Sequence, residues 1–412
     1  MADPDVDPPL AGLKVLELAR VLAGPWAGQV LADLGADVVK VESLAGDETR
    51  SWGPPFVDGD DAAYFHGCNR GKRSLAVDLA TPVGREIVGR LAAQSGVIVE
   101  NFRVGGLDKF GLDYASVRAA NPGVVYCSIT GFGRDGPYAA RPGYDILIQA
   151  MGGIMDLTGD PEGAPQKVGV AYADIFTALY AVIAVQAALA ERARTGAGQH
   201  IDMALLDTQV GVLANQAMNY LVTGVPPRRI GNAHPNIVPY QAFAAADGHL
   251  IVAVGNDRQF RQLVAALGEA GLADDPAYAT NAARVENRGR LVPRLAALIA
   301  PLDRDDLLAR LEAADVPAGP INDLAEVFAD PQVVHRRMRL DLPRDGGGTV
   351  PSVRTPILMS RSPLAYGRAA PRLGEHTREI MTALGYAAAA VDRLVADGVV
   401  ATPGRQSSAG RR

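Results

Sequence analysis

The chain has 412 residues, of which 48% are hydrophobic and 21% charged, and its formal net charge is −6. That composition supports a buried core and excludes a disordered chain, and the length exceeds one ordinary core, so two domains are expected. The mildly acidic balance argues against nucleic acid as a partner and leaves an anionic ligand to a local basic patch.

The start, MADPDVDPPL, is acidic and Pro-rich and lacks the basic and apolar regions of a signal peptide. LKVLELA (13–19) reads as a buried strand, and AGPWAGQVLADLGA as a helix with Pro25 in its first turn and Gly35 at its end. DVVKVE (37–42) closes a βαβ opening. The pattern returns in SLAVDL (74–79), a helix over GREIVGRLAAQS, GVIVEN (96–101), a helix over YASVRAANP and GVVYCSITGFG (123–133). Strands alternating with helices predict an α/β fold with a parallel sheet covered on both faces.

Residues 134–168 are Gly- and Pro-rich. The longest apolar run, Ile175 to Ala190, contains Thr177 and Gln186 and reads as a buried helix rather than a membrane span. A Pro-rich break, TGVPPRRIGNAHPNIVPY (223–240), precedes a hairpin around Asp247-Gly248 and three amphipathic helices. The expected organisation is a large domain over 1–224, a smaller α+β domain over 225–335, a return to the large domain over 336–400 and a disordered tail over 401–412. Cys68 and Cys127 make neither a disulfide framework nor a zinc cluster, and the six histidines are scattered. No metal, no membrane and a cytoplasmic location are expected.

The opening βαβ lacks the GxGxxG of a dinucleotide site, reading LAGPWAGQ instead. GCNRGK (67–72) departs from a P-loop, and there is no GxSxG nucleophile elbow. Arg70, Lys72 and Arg73 form a basic cluster that fits a solvated loop or a phosphate site. NFRVGGLDKFGLD (101–113) follows a strand end, where open α/β sheets bind ligands, and offers Arg103 and Lys109 to phosphates. The glycine-rich stretch 131–153, which holds Tyr144 and Asp145, exposes backbone N–H groups suited to an oxyanion. Arg229, His234, Asn236 and Tyr240 lie in a stretch that reads as linker, lid or carboxylate site at the domain junction. Asp174 heads the apolar helix of GVAYADIFTALYAVIAVQAALAERARTG (169–196). It fits a helix cap, and it also fits an exposed carboxylate whose ionised, attacking form a helix N-terminus favours.

Together, LELARVLAGPWAGQVLADLGADVVKVE, GDETRSWGPPFV, NRGKRSLAVDL, VENFRVGGLDKFGL, YCSITGFGRDGPYAARPGYD, VGVAYADIFTALYA and RLGEHTREI resemble the class III coenzyme A transferases from about residue 10 to about 386. The resemblance implies a Rossmann-like large domain built from N- and C-terminal segments, a smaller α+β domain and an interlocked homodimer. It implies Asp174 as nucleophile, and CoA contacts along Val21, Leu22, Ala23, Val77, Asn101, Phe102, Arg103, Lys109, Arg141, Tyr144 and Asp145. Acyl-CoA would be a substrate, with no tightly bound cofactor. Leu22 and Lys109 depart from the Gln and Arg of some members. The related α-methylacyl-CoA racemases place a catalytic His in G-H-D, where this chain has Tyr144, and racemisation needs an acid and a base on opposite faces of the α-carbon.

TRSWGPPFV and NAHPNIVPYQAF resemble the branch that moves CoA between succinate and glutarate-type dicarboxylates; itaconate, malate, citramalate, mesaconate and oxalate are the alternatives. Arg20, Arg50, His234, Asn236 and Tyr240 are the candidates for the acid's spare carboxylate, Arg because it binds carboxylates bidentately. The implied chemistry runs through mixed anhydrides and an aspartyl-CoA thioester on Asp174. Keeping water from these intermediates suits a cleft closed by the smaller domain.

Overall fold

In the computed structural model, residues 6–57, 59, 61–345 and 347–403 are described. They form two compact units, the larger from residues up to Gly153, Val168–Ala217 and His335 onward, the smaller from Ile154–Lys167 and Met218–Val334. Ile154–Lys167, which the sequence reading assigned to the large domain, belongs to the smaller unit.

The larger unit is built on seven strands: β1 (Lys14–Glu17), β2 (Asp37–Glu42), β3 (Arg73–Val77), β4 (Val97–Glu100), β5 (Val125–Thr130), β6 (Gln199–Ala204) and β7 (Val400–Ala401). Their order is β7-β3-β2-β1-β4-β5-β6. All neighbours are parallel except β7, which runs antiparallel to β3 with Val400 opposite Val77. Ala401, expected in a disordered tail, is thus a strand residue, and 404–412 lie outside the described residues.

The apolar runs bury both faces because alternate residues point to opposite sides. Val15, Val97, Val99, Val125, Cys127 and Ile129 face helices α1 (Ala23–Asp33) and α5 (Tyr172–Thr195). Leu16, Leu75, Val77, Ile98 and Tyr126 face the other layer, with α2 (Pro82–Gln94), α3 (Tyr114–Ala120) and the helix Thr377–Ala383. A fourth helix used below, α4, spans Asp145–Met151. The strand order reverses direction at β1 and β4, which makes the C-terminal ends of these strands the switch point at which open α/β sheets bind ligands.

Helix α5 differs from the buried helix expected. At 24 residues it is long and apolar enough, by length and composition, to cross a membrane. Ala173, Ala178, Ala181, Val182, Val185 and Ala188 pack on the core, whereas Leu179, Tyr180 and Ile183 are exposed.

The glycines of LAGPWAGQ have a packing role. A Cβ on Gly24 would lie 2.2 Å from Ala19 Cβ, and one on Gly28 would lie 1.8 Å from Glu17 Oε2. They let α1 settle onto the end of β1, where Glu17 is fully buried and pairs with Lys72 at 2.8 Å. In the smaller unit, Tyr240–Ala244 and His249–Ala253 form the expected antiparallel hairpin, extended by Ala318–Pro320.

Gly28→Ala weighs two effects against each other. Alanine favours the helix by about 1 kcal/mol, but the methyl group displaces the Glu17 carboxylate from a buried ion pair, which costs about 3–5 kcal/mol. The variant is expected to melt at a lower temperature than the parent, measured by thermal unfolding.

Candidate active site

Asp174 is the third residue of α5. The first turn of a helix leaves N–H groups without intrahelical partners, and here each has one. Tyr172 N–H donates to Val170 O (2.8 Å) and Ile175 N–H to Ala171 O (3.1 Å). Ala173 and Asp174 N–H donate to Asp145 Oδ1 at 2.8 and 3.3 Å. The cap is therefore Asp145, from the first turn of α4, and not Asp174 as the cap reading had it. Gln149, one turn further along α4, donates from Nε2 to Asp145 Oδ2 (2.7 Å) and to Val170 O (3.3 Å), and its Oε1 accepts Val168 N–H (2.9 Å).

This arrangement leaves the Asp174 carboxylate free of capping duty. The residue is only 9% exposed, against the exposed carboxylate expected. Burial first, and the negative charge of Asp145 second, push its carboxyl up from the ordinary 3.8 to about 7. The folded chain therefore holds this proton more tightly than the unfolded chain does, and the stability it contributes at low pH is lost as pH rises from 3.8 through about 7. The loop carrying Asp145 returns to the end of β5 through two facing glycines. A Cβ on Gly131 would lie 2.6 Å from Gly143 Cα, and one on Gly143 would lie 2.5 Å from Gly131 Cα.

Tyr64 faces the same region. Burial, then the charge of Asp174, raise its phenol above the ordinary range, so it stays a neutral donor. Its ring meets Trp52 edge-on at 5.2 Å.

The loops after β1 and β4 meet at the switch point of the sheet. Arg20 N–H donates to Asn101 Oδ1 (2.8 Å), and Asn101 Nδ2 donates to Arg20 O (2.7 Å). Val21 has a positive φ of 68°. Leu22 precedes α1 as its N-cap residue and Ala23 opens the helix, both largely buried. Phe102 N–H donates to Glu100 Oε2 (2.8 Å). Arg103 is exposed and lines a shallow pocket with Glu100, Gly105, Gly106, Tyr114 and Arg134. Lys109 lies over Phe110 at 4.8 Å, Arg141 stacks on Tyr138 at 4.5 Å, and Tyr144 is exposed. Val77 is buried at the end of β3, so its side chain has no surface to offer a ligand.

Two basic candidates change role. Arg50 is buried, and its guanidinium is filled by Glu42 (2.8 Å from both Nε and Nη2), Asp61 (2.7 Å) and the Pro371 carbonyl (3.2 Å). A substrate carboxylate would have to displace these partners, so Arg50 is a structural residue. Arg70 pairs with Asp33, Lys72 with Glu17, and Arg73 with Asp37 and Glu379, so the basic cluster is a set of internal ion pairs and not a phosphate site. Arg20 keeps an exposed side chain, paired with Glu48 at 2.9 Å. In the smaller unit, Arg229 bonds the Asp156 carboxylate (2.8 Å), His234 Nδ1 accepts Asn236 N–H (3.1 Å), and Tyr240 is exposed at a strand start.

The sequence reading missed Tyr64 and Gln149. Gln149 had a signal, because Gln and Asp four apart on a helix pair readily. Tyr64 had none.

The geometry therefore gives a buried carboxylate, Asp174, in the first turn of a helix whose N–H groups are capped by Asp145. The model of the CoA-transferase family III matches residues 10–377, and the chain belongs to that family. It is 56% identical over 387 residues to a succinate–glutarate CoA-transferase of Agrobacterium fabrum, covering 92% of this chain and 97% of that one. It is 41% identical to a succinyl-CoA:glutarate CoA-transferase of Homo sapiens, covering 95% and 90%. Its fold is similar to the crystal structure of a CAIB/BAIF family protein from Brucella suis, with a TM-score of 0.83, 60% identity, and coverage of 92% and 100%. The chain is therefore an enzyme that transfers CoA between acyl groups.

If ionised Asp174 attacks, kcat/KM for acyl-CoA should rise with pH through about 7. Asp145→Asn keeps an oxygen for the Ala173 N–H but removes the neighbouring charge, so the midpoint should move down. A pH–rate profile checks this, and an unmoved midpoint would contradict the electrostatic role given to Asp145.

Proposed function

We propose that this CoA-transferase moves CoA from succinyl-CoA to a glutarate-type dicarboxylate, with Asp174 as nucleophile. The observation that carries the reading is the Asp174 carboxylate itself, held in the first turn of α5 while Asp145 does the capping. The names of the relatives in Agrobacterium fabrum and Homo sapiens support the choice of acids. Tyr144, where the racemases have a catalytic His, supports transfer over racemisation.

A carboxylate suits the task because its acyl product is an anhydride, which stays activated, whereas a serine ester would lie below the thioester in energy. Asp174 Oδ attacks the donor carbonyl and CoA thiolate leaves, giving a mixed anhydride. The thiolate then attacks the aspartyl carbonyl and releases the donor acid, leaving an aspartyl-CoA thioester. The acceptor carboxylate attacks that thioester and expels CoA thiolate, which finally attacks the acceptor acyl carbon and frees Asp174. In this reading Tyr64 and the backbone N–H groups of the glycine-rich loop donate to the oxyanions; losing one such donor costs about 3–4 kcal/mol in the barrier.

The CoA surface in this reading comprises Val21 to Ala23, the backbone at Val77, Asn101 to Arg103, Lys109, Arg141, Tyr144 and Asp145. For the acceptor's spare carboxylate it keeps Arg20. Free, buried Cys68 and Cys127 support a reducing, cytoplasmic setting.

The test mixes the purified enzyme with succinyl-CoA and a pool of glutarate, hydroxymethylglutarate, itaconate, malate, mesaconate and oxalate, with mass spectrometry of the CoA esters. Glutaryl-CoA should form first and only when glutarate is present. Preferential transfer to another acid would overturn the substrate assignment.

The reading also includes a homodimer. Ile183 is 62% exposed and Tyr180 46%, on a helix whose opposite face is core; exposed apolar stripes of this kind mark interfaces. Light scattering should give twice 43.2 kDa, and a stable monomer would contradict it.

A further inference from the structure

The loop joining β1 to α1 is held by buried charge. Val21 has a left-handed backbone at φ 68°, a genuine outlier for a β-branched residue, and such outliers persist only where their surroundings over-determine them. Val21 N–H donates to both oxygens of Asp47, at 3.4 and 3.3 Å, and Val21 O accepts the Cys68 thiol at 3.6 Å. The carbonyls on either side are fixed as well, Ala19 O by Lys40 Nζ (2.8 Å) and Pro25 O by Lys72 Nζ (2.7 Å).

Asp47 is the hub of this arrangement. Its side chain has no solvent exposure and pairs with Lys40 at 2.9 Å. One oxygen also accepts Thr49 N–H (3.0 Å) and Thr49 Oγ1–H (2.8 Å). Lys40 completes its three donors with Glu17 (3.1 Å) and Ala19 O. Burial alone would raise the Asp47 carboxyl, but Lys40 and the Thr49 bonds outweigh it and hold it below its ordinary value, so it is an anion. Nothing in the chemistry of Asp174 uses this buried ion pair.

We propose that Asp47 is a positioning residue for CoA transfer: clamped by Lys40, it holds Val21 in the left-handed conformation and so fixes the backbone of Arg20 to Ala23 that CoA meets. The inference rests on the reading of Val21 to Ala23 as a CoA surface. Asp47 is sealed from solvent and acts through the loop, never on the substrate.

The experiment compares the parent, Asp47→Asn, Val21→Gly and their combination, with kcat and KM for succinyl-CoA and amide hydrogen exchange of the 19–24 segment. Asp47→Asn should raise KM about tenfold or more while kcat changes less than about threefold, as expected when binding alone is weakened. Exchange at Val21 should quicken while amides within α5 keep their rates, which a merely destabilised fold would not do. Glycine adopts a positive φ without strain, so in the V21G background Asp47→Asn should change KM less than about threefold, a coupling that a double-mutant cycle reads directly.

Should Asp47→Asn alone fail to fold, Lys40→Met with Asp47→Asn removes both buried charges together and should show the same rise in KM. An unchanged KM in a folded D47N or K40M/D47N enzyme, or an equal rise with and without V21G, would overturn the proposal. CoA added to the parent should slow exchange over 20–23. If it does not, the reading of the loop as a CoA surface falls and takes the proposal with it; if it does and KM is unmoved by Asp47→Asn, the positioning role alone is wrong.

Discussion

One buried glutamate between two buried lysines sets the C-terminal edge of the sheet. Glu17 ends β1, Lys40 comes from β2 and Lys72 precedes β3, and all three side chains are sealed from solvent. Desolvating three charges is costly, and pairing them seldom makes a fold more stable than apolar packing would. What the pairing supplies is geometry. Each ammonium reaches a backbone carbonyl, Ala19 O in the β1–α1 connection or Pro25 O in the first turn of α1, so the strand, the turn and the helix start are pinned at the same place. Gly28 clears the space for the Glu17 carboxylate. The switch point of the sheet, where two hydrogen bonds of Arg20 and Asn101 join the loops after β1 and β4, is built on that frame.

At the head of α5, a second carboxylate arrangement divides labour between two aspartates. Asp145 satisfies the open N–H groups of α5 and is steadied by Gln149. Asp174 is left without that duty, buried, and near the balance point between acid and anion at neutral pH. A nucleophile tied into a helix cap would have to break its bonds before attacking. Delegating the cap to a neighbour avoids this, and burial, aided by the neighbour's charge, keeps Asp174 more basic than an exposed aspartate.

Much of this was legible in the sequence. The alternation of apolar runs gave the parallel sheet, because strands buried on both faces need near-continuous apolar sequence. Asp174 stood out as one carboxylate at the head of an apolar helix, and the family resemblance gave it a role. Its cap could not be read, because Asp145 is 29 positions away and the contact depends on how the glycine-rich loop folds back at Gly131 and Gly143. Arg50 and the Arg70–Arg73 cluster misled for a related reason. A basic residue in a loop looks the same whether it meets a phosphate or an internal carboxylate, and their partners, Glu42, Asp33, Glu17 and Asp37, lie on strands and a helix elsewhere in the chain. The apolar run of α5 suggested burial, but hydrophobicity alone does not separate a core face from an interface face, and Ile183 lies on the exposed side.

The central claim is that CoA passes through Asp174. The most direct measurement quenches the enzyme during turnover with succinyl-CoA and weighs the peptide that spans 169–196. The account predicts a gain of one CoA less one water, localised to Asp174 and absent from Asp174→Ala, whose kcat should fall by about 10⁴-fold or more. Turnover that persists in Asp174→Ala, with no adduct on the parent peptide at any quench time, would contradict it.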